Sequence, residues 1–485
     1  LAIVSDRGAN DRVVIVGAGL AGLAAAQRIT ERARKPIEIL LLEAKERVGG
    51  AIWTERERGF LLEGGADSFI TNKPWAIDLC KAIGLGDQLI GPDPANRRSF
   101  VVRDGRLLPV PEGFILMAPR RLGSILTTPI LSFRGKLRLL MDLVRPRRVD
   151  ESEESLAAFA KRRLGRETFE RLIQPLVGGI YTADPNELSL QATLPHFLDM
   201  EREHGSLIRG ARAEARRSKS DRNDSGARYG LFASLIDGME GLPKALAAAL
   251  PTGALRLNAS VRRVNRPDSG GLWRVEPLDG PPIEAAGVIM ATEAHASARL
   301  LDGHDPELAL HLRSIPYASS AIVTVAYRRD QVAHPLDGFG VVVPAIEGRK
   351  VLAVSFTSKK FPGRAPSGTV LLRVFVGGAM QAELYDLDDD AIEALVLDEL
   401  SSLLGAHGTP LLLRLARHPR AMPQYTLGHL DRVASIRRRL IRHDRLVLAG
   451  NAFEGVGIPD VIRSGQEAAD TLLRALADPA AFAAA

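Results

Sequence analysis

Cysteine is almost missing from this chain. Cys80 is the only one in 485 residues. One thiol excludes an intrachain disulfide framework and a cysteine-based metal cluster, and it suits a reducing compartment. Long apolar runs are also missing. None approaches the ~20 residues that cross a bilayer. The first residues lack a basic region followed by an apolar one, so no signal peptide is expected. Nucleic-acid modules are absent too: there is no aromatic RNA-binding strand, finger spacing or long basic helix. No metal site is expected, since His204 and His429 have no companion ligand at usable spacing. What remains is 46% hydrophobic and 25% charged, with net charge +6. That is an ordinary globular composition, long enough for two or three cores, with a bias toward anionic ligands.

The strongest local signal is Val-Ile-Val-Gly17-Ala-Gly19-Leu-Ala-Gly22. It reads as a buried strand over 11–16, a tight glycine turn, and a helix from Leu20. Gly17 permits the turn. Gly19 lets the backbone approach a pyrophosphate, and Gly22 lets helix and strand pack. The helix start offers unpaired N–H groups to phosphate. Glu43 ends the next apolar run, about 20 residues on, where a carboxylate holds ribose hydroxyls. Arg47 and the pair Gly49-Gly50 follow, suited to the same pyrophosphate from the other side. Near the far end, Leu446-Val-Leu-Ala-Gly450 leads through Gly455 and Gly457 into a helix. Two glycine turns about 430 positions apart imply one extended cofactor gripped by both ends of the chain. That favours FAD over NAD.

Elsewhere, a helix is expected over 74–83, and a helical pair around Leu156–Leu164 and Phe169–Val177, ended by Gly178-Gly179. Residues 114–148 mix apolar side chains with Arg120, Arg121, Arg134, Lys136, Arg145 and Arg147, as an interfacial segment would. Residues 211–229 read as an exposed loop. Strands are expected at Leu255–Val264, Leu272–Val275, Val288–Ala291, Ala321–Arg328, Gly340–Val343, Val351–Thr357 and Val370–Val376, with an amphipathic helix over 388–404.

Longer stretches carry a family resemblance. They are Leu62-Glu63-Gly-Gly-Ala-Asp-Ser68-Phe69, Ser155 to Gly165, and Ile173-Gln-Pro-Leu-Val-Gly-Gly179-Ile-Tyr181. Glu201 to Gly210, Phe375-Val-Gly377-Gly378 and Pro423-Gln424-Tyr425-Thr-Leu-Gly428-His429 complete the set. With both clamps, the chain resembles the protoporphyrinogen/coproporphyrinogen oxidases of the FAD-dependent amine-oxidase-like superfamily. The resemblance implies an α/β fold. A Rossmann-like FAD-binding domain would come from 1–110, 216–295 and 436–485. A helical substrate- and membrane-associating domain would span 111–215, and a mixed-sheet substrate domain 296–435.

It also implies an enzyme of haem biosynthesis that removes six electrons from a porphyrinogen, with O₂ reoxidising the flavin. Gly64 and Val261 would join the cofactor contacts. Gly179 would lie in a loop over the macrocycle, its carbonyl facing the pyrrole N–H groups, and Phe375 would line the wall. Lys73 and Arg98 would meet substrate carboxylates. Ser99 and Phe100 stand where plant and mitochondrial relatives carry an arginine and an aromatic. Together these lean toward coproporphyrinogen III over protoporphyrinogen IX, with both open. The expected setting is cytoplasmic, peripheral on the inner membrane face, and compatible with a homodimer. Two other readings stand beside this one: an amine oxidase or desaturase on the same fold, and a non-catalytic flavin- or porphyrin-binding partner.

Overall fold

The computed structural model describes residues 9–150, 152–217, 232–267 and 270–477. A five-stranded parallel sheet collects strands from the whole length of the chain, in the order Leu255–Arg256, Glu38–Leu42, Arg12–Val16, Gly287–Met290, Leu446–Leu448. These strands read as continuous apolar runs because both faces are covered. Val13 and Ile15 pack under helices Leu20–Arg32, Gly241–Ala248 and Ile458–Ala477. Val14 and Val16 face the antiparallel strands Val261–Asn265, Trp273–Pro277 and Ile283–Ala285, with helices Ala294–Leu301 and Pro306–Arg313 behind. The expected strand Leu255–Val264 is split in two, because Asn258 takes φ +53 between the pieces.

The first and last helices cross closely. A Cβ on Gly465 would lie 2.1 Å from the Ala21 carbonyl oxygen, so only glycine fits there. Arg28 grips Asp470 with two hydrogen bonds of 3.0 and 2.8 Å beside that crossing. Cys80 is buried in this layer, and burial pushes its thiol up to about 11.

A second, seven-stranded mixed sheet runs Leu412–Pro423, Tyr317–Arg328, Thr369–Gly377, Ala353–Ser355, Gly340–Val342, Ser99–Arg103, Arg106–Pro109. The last two strands lie within the segment expected to bind the cofactor. They join this sheet because Ser99–Val101 pairs in parallel with Gly340–Val342. Alternation splits the sheet's residues between two cores. Phe100, Val102, Val341 and Val374 face helix Asp389–Leu404, whereas Val101, Val342 and Ala353 face a helical layer.

That layer contains Leu122–Thr127, Phe133–Leu140, Leu156–Leu164, Pro195–His204 and Leu207–Arg217. Arg163 is fully buried at its centre. It bonds Asp142 at 2.7 Å and the Gly205 carbonyl at 2.8 Å, while Ser206 donates to the same carboxylate at 2.6 Å. Two expectations fail here. Residues 211–217 are helical, because Leu207, Ile208 and Ala211 bury one side of the turn and leave its charges on the other; residues 218–229 of the expected loop lie outside the described residues. The helix expected to stop at Gly178-Gly179 continues to Tyr181 and ends only where Thr182 turns left-handed at φ +47.

Among the described residues, no helix is long and apolar enough to cross a membrane, and no group of His, Cys, Asp and Glu could hold a metal ion.

Candidate functional site

Gly17 takes φ +102 at the end of the first strand, and its N–H donates to the Leu42 carbonyl at 2.8 Å. A Cβ on Gly22 would lie 1.9 Å from the Gly17 oxygen. Gly19 differs. Its φ is −69, and nothing lies within 4 Å of where a Cβ would stand. The turn therefore opens a void at the helix N-terminus, where backbone N–H groups lack intrahelical partners.

The second glycine pair closes on that void. Gly49 N–H donates to the Ala18 carbonyl at 2.8 Å, and a Cβ on Gly50 would meet the Gly19 Cα at 3.4 Å. Glu43 is buried and accepts from Ala18 N–H at 2.8 Å and Lys45 N–H at 3.0 Å. A carboxylate has about four acceptor positions, so two remain for ribose hydroxyls. Ala259 N–H bonds the Glu43 carbonyl at 2.8 Å, which brings the start of the Val261 strand beside the acid. Arg47 behaves differently from expectation. Its guanidinium donates to the carbonyls of Val48, Gly50 and Ile52, bracing the loop from within.

The C-terminal turn has the same features. Gly450, at φ +133, has nothing within 4 Å of a Cβ position, and its N–H donates to Ser464 Oγ at 3.0 Å. Gly455, at φ +111, would drive a Cβ to 2.5 Å from the Asp460 carboxyl carbon. Gly457 stands 3.4 Å from the same carboxylate by that measure, one residue before the closing helix. The residues thus fit a dinucleotide: two open glycine cradles, two helix starts and an acid with spare acceptors.

Gly64 lies between this cradle and the seven-stranded sheet. A Cβ there would fall 1.7 Å from the Trp53 ring. Its carbonyl bonds His418 Nε2 at 2.8 Å, and burial lowers the His418 pKa, outweighing that bond. Just beyond, Asp67 meets Lys360 Nζ at 3.1 Å and Arg373 at 3.4 Å. Burial alone would raise the Asp67 carboxyl, but Lys360 and Arg373 hold it well below the usual range. Arg373 also grips the Gly65 carbonyl and lies over the Phe375 ring, 5.5 Å from its centre.

One row across the sheet runs Val101, Val342, Ala353, Phe375, Ile322 in register. The last turn of helix Gln174–Tyr181 stands on that row: a Cβ on Gly179 would lie 3.7 Å from Val342 Cγ1. Gly179 is therefore helical rather than in a loop. Its carbonyl still belongs to the final four, which have no partner within the helix and carry the negative end of the dipole. The neighbouring Ile180 and Met380 are both 37% exposed.

Two expected substrate contacts are engaged elsewhere. Lys73 Nζ holds both Asp460 oxygens at 2.7 Å. Arg98 is 70% exposed and reaches Asp337 at 3.4 Å. Ser99 is buried with an unpartnered hydroxyl. Phe100 points to the opposite face, edge-on to His334. Asp67, Tyr425 and Asp460 lie in stretches that stood out in the sequence but carried no expected role there, and Lys360 gave no signal. Arg373 had a readable signal, a lone charge inside the apolar strand Thr369–Gly377.

The pattern of the flavin containing amine oxidoreductase family matches residues 20–473. A coproporphyrinogen III oxidase of Propionibacterium freudenreichii subsp. freudenreichii is 35% identical, covering 96% of this chain and 91% of its own. Its counterpart in Bacillus subtilis is 33% identical, over 95% and 97%. Protoporphyrinogen oxidase 1 of Arabidopsis thaliana chloroplasts is 30% identical, over 94% and 87%. A solved structure from Exiguobacterium sp. 255-15 superposes with TM-score 0.84 at 32% identity, over 96% of this chain and 99% of the other. Cyclohexylamine oxidase of Brevibacterium oxydans, at 18% identity and TM-score 0.66 over 96% and 99%, shares the fold. The paired glycine cradles, the helix end over the apolar row and these full-length similarities lead to one assignment: the chain belongs to the flavin containing amine oxidoreductase family, an FAD-binding group, in its branch of coproporphyrinogen III and protoporphyrinogen oxidases.

Proposed function

We propose that this protein oxidises a porphyrinogen to its porphyrin in haem biosynthesis, with O₂ as the final electron acceptor. Coproporphyrinogen III is the favoured substrate and protoporphyrinogen IX the second. The observation that carries the reading is the Gly179 helix end poised over the Val342–Ala353–Phe375 row. The higher identity to the coproporphyrinogen III oxidases supports the order of substrates.

Bound FAD supplies the electron-pair acceptor that no side chain can replace. The chain supplies position. Gly17, Gly19, Gly22, Gly49 and Gly50 would cradle the pyrophosphate, with Arg47 fixing the loop, and Glu43 and the Val261 strand would hold the adenosine end. Gly64, Gly450, Gly455 and Gly457 would border the flavin. The Gly179 carbonyl, near the end of its helix, would orient pyrrole N–H groups, and the apolar row would exclude water from the macrocycle. Lys73 stays 38% exposed while paired, so a substrate carboxylate would compete with Asp460 for it. The same reading places the strands 99–109 with the substrate sheet, and otherwise divides the chain into a flavin part from both ends and the middle, a helical part and a sheet part.

Kinetics with both reduced substrates test this. Fluorescent porphyrin should form from each, with the larger kcat/KM for coproporphyrinogen III. Formation of porphyrin from neither would overturn the function.

A cytoplasmic protein resting on the inner membrane face is proposed with it. Phe133, Leu137, Met141 and Val144 form one stripe, exposed by 81%, 56%, 44% and 78%, with exposed Arg134, Arg145 and Arg147 beside it. Phe133 and Leu137 share one side of the helix Phe133–Leu140, and Met141 and Val144 follow on the 3-10 turn Met141–Leu143 and just after it. Vesicles containing anionic lipid should carry the protein in flotation. Raising salt should release it, because the charge component is screened. Phe133→Ser should weaken it further. Flotation unaffected by both changes would remove the membrane from the proposal.

A further inference from the structure

Gln424 and Tyr425 follow the strand Leu412–Pro423 of the substrate sheet and lie where three parts of the molecule meet. Gln424 N–H donates to the Pro316 carbonyl at 2.8 Å. Its side-chain amide donates to the Tyr181 carbonyl at 3.3 Å. Tyr181 is the last residue of the helix that carries Gly179. The Tyr425 carbonyl accepts from Ser189 N–H at 2.8 Å, so the helical layer is tied in as well.

The Tyr425 hydroxyl points the other way. It donates to the Asn451 carbonyl at 2.6 Å and accepts from Gly455 N–H at 2.7 Å. Burial raises the phenol's pKa above its ordinary value, so it stays a donor. His429 stacks on the Tyr425 ring at 4.0 Å and 12°, with Nε2 3.1 Å from the Phe453 carbonyl. Three backbone groups of the C-terminal glycine turn therefore rest on Tyr425 and His429. Tyr425 is 2% exposed, Gln424 6% and His429 0%.

We infer that Gln424 and Tyr425 are positioning residues that hold the substrate-facing helix end in register with the flavin-facing glycine turn. The inference rests on the proposed function. One dipeptide then sets the separation between the reacting macrocycle and the flavin. Displacement of about 1 Å can cost on the order of a hundredfold in rate.

The two residues should separate experimentally. Tyr425→Phe keeps the ring but leaves Gly455 N–H and the Asn451 carbonyl unpaired. FAD titrated into the apoprotein should bind about tenfold more weakly, within the scale of the two lost hydrogen bonds, and the bound flavin's absorption band should shift. Gln424→Leu should leave FAD affinity unchanged and slow anaerobic bleaching of the flavin by saturating porphyrinogen about tenfold, in keeping with looser placement. Gln424→Met, of similar length, serves as a second variant. If all three only lower the melting temperature, with wild-type FAD affinity and bleaching rate, the inference falls. If the wild-type holoprotein binds FAD and is not bleached at all, the proposed function fails instead. The Tyr425→Phe titration still decides the flavin half.

Discussion

A Gly19→Trp protein is expected to fold and to be colourless. Gly19 has an ordinary negative φ of −69, so a side chain there strains no backbone. A Cβ would meet nothing within 4 Å, so the added ring is not forced into the core. The indole instead enters the space between the turn at Gly17–Gly22 and the one at Gly49-Gly50. That is where the pyrophosphate would lie. Complete loss of the flavin band near 450 nm should accompany an apoprotein melting temperature close to wild type. Gly22→Ala is a useful contrast, since its Cβ would collide with the Gly17 oxygen at 1.9 Å and disturb the fold itself. Yellow, FAD-loaded Gly19→Trp protein would refute the placement of the cofactor.

Asp67→Asn should be the most damaging conservative change beside the turn at Gly64-Gly65. Asp67 faces two cations, Lys360 and Arg373, which are 8% and 2% exposed. The amide keeps the shape and removes the charge that meets both. Breaking a buried pair from one side costs about 3–5 kcal/mol, against a total stability of roughly 5–15 kcal/mol. The loss should appear in thermal melts of the holoprotein.

The pH dependence of Asp67→Asn fixes its cause. The Asp67 carboxyl is held below its ordinary value in the folded protein, by Lys360 and Arg373 acting against burial. Its contribution is therefore present above the unfolded value, near ~3.9, and is lost as pH falls toward the folded one. The gap between wild type and Asp67→Asn should be constant from pH 7 to about pH 5 and narrow below ~4. A gap unchanged at pH 3 would mean that charge is not the reason.

What could be read from the sequence was mostly backbone. Gly17, Gly22, Gly49, Gly450 and Gly455 are glycines because the chain turns left-handed or passes too close to a neighbour there, and such needs leave a local trace. Apolar runs likewise located most strands of both sheets, whereas Ser99–Arg103, Arg106–Pro109 and Leu412–Pro423 were not among the expected strands. Charged side chains were less legible. Whether Lys73 faces a ligand or a protein carboxylate depends on Asp460, 387 positions away. Arg47 turned onto carbonyls of its own loop, at Val48, Gly50 and Ile52, a choice that the residue type alone does not reveal. The resemblance implied a loop at Gly179, and the glycine pair was expected to end the helix there, yet packing carried this helix two residues further, to Tyr181. The charges of 211–217 masked a helix whose three apolar anchors lie at its start.

The crossing of the first and last helices at Ala21 and Gly465 has a consequence for synthesis. The turn at Gly19 leaves the ribosome about 430 residues before its partners at Gly450–Gly457 and the helix over 458–477. At about 5–20 residues per second, roughly 20–90 s separate the two ends. Throughout that interval the nascent chain holds only part of the grip on its cofactor. Full flavin loading is thus expected only once Gly450–Gly457 has been made, and a chain stopped short of Leu446 would carry a finished seven-stranded sheet with half a cradle.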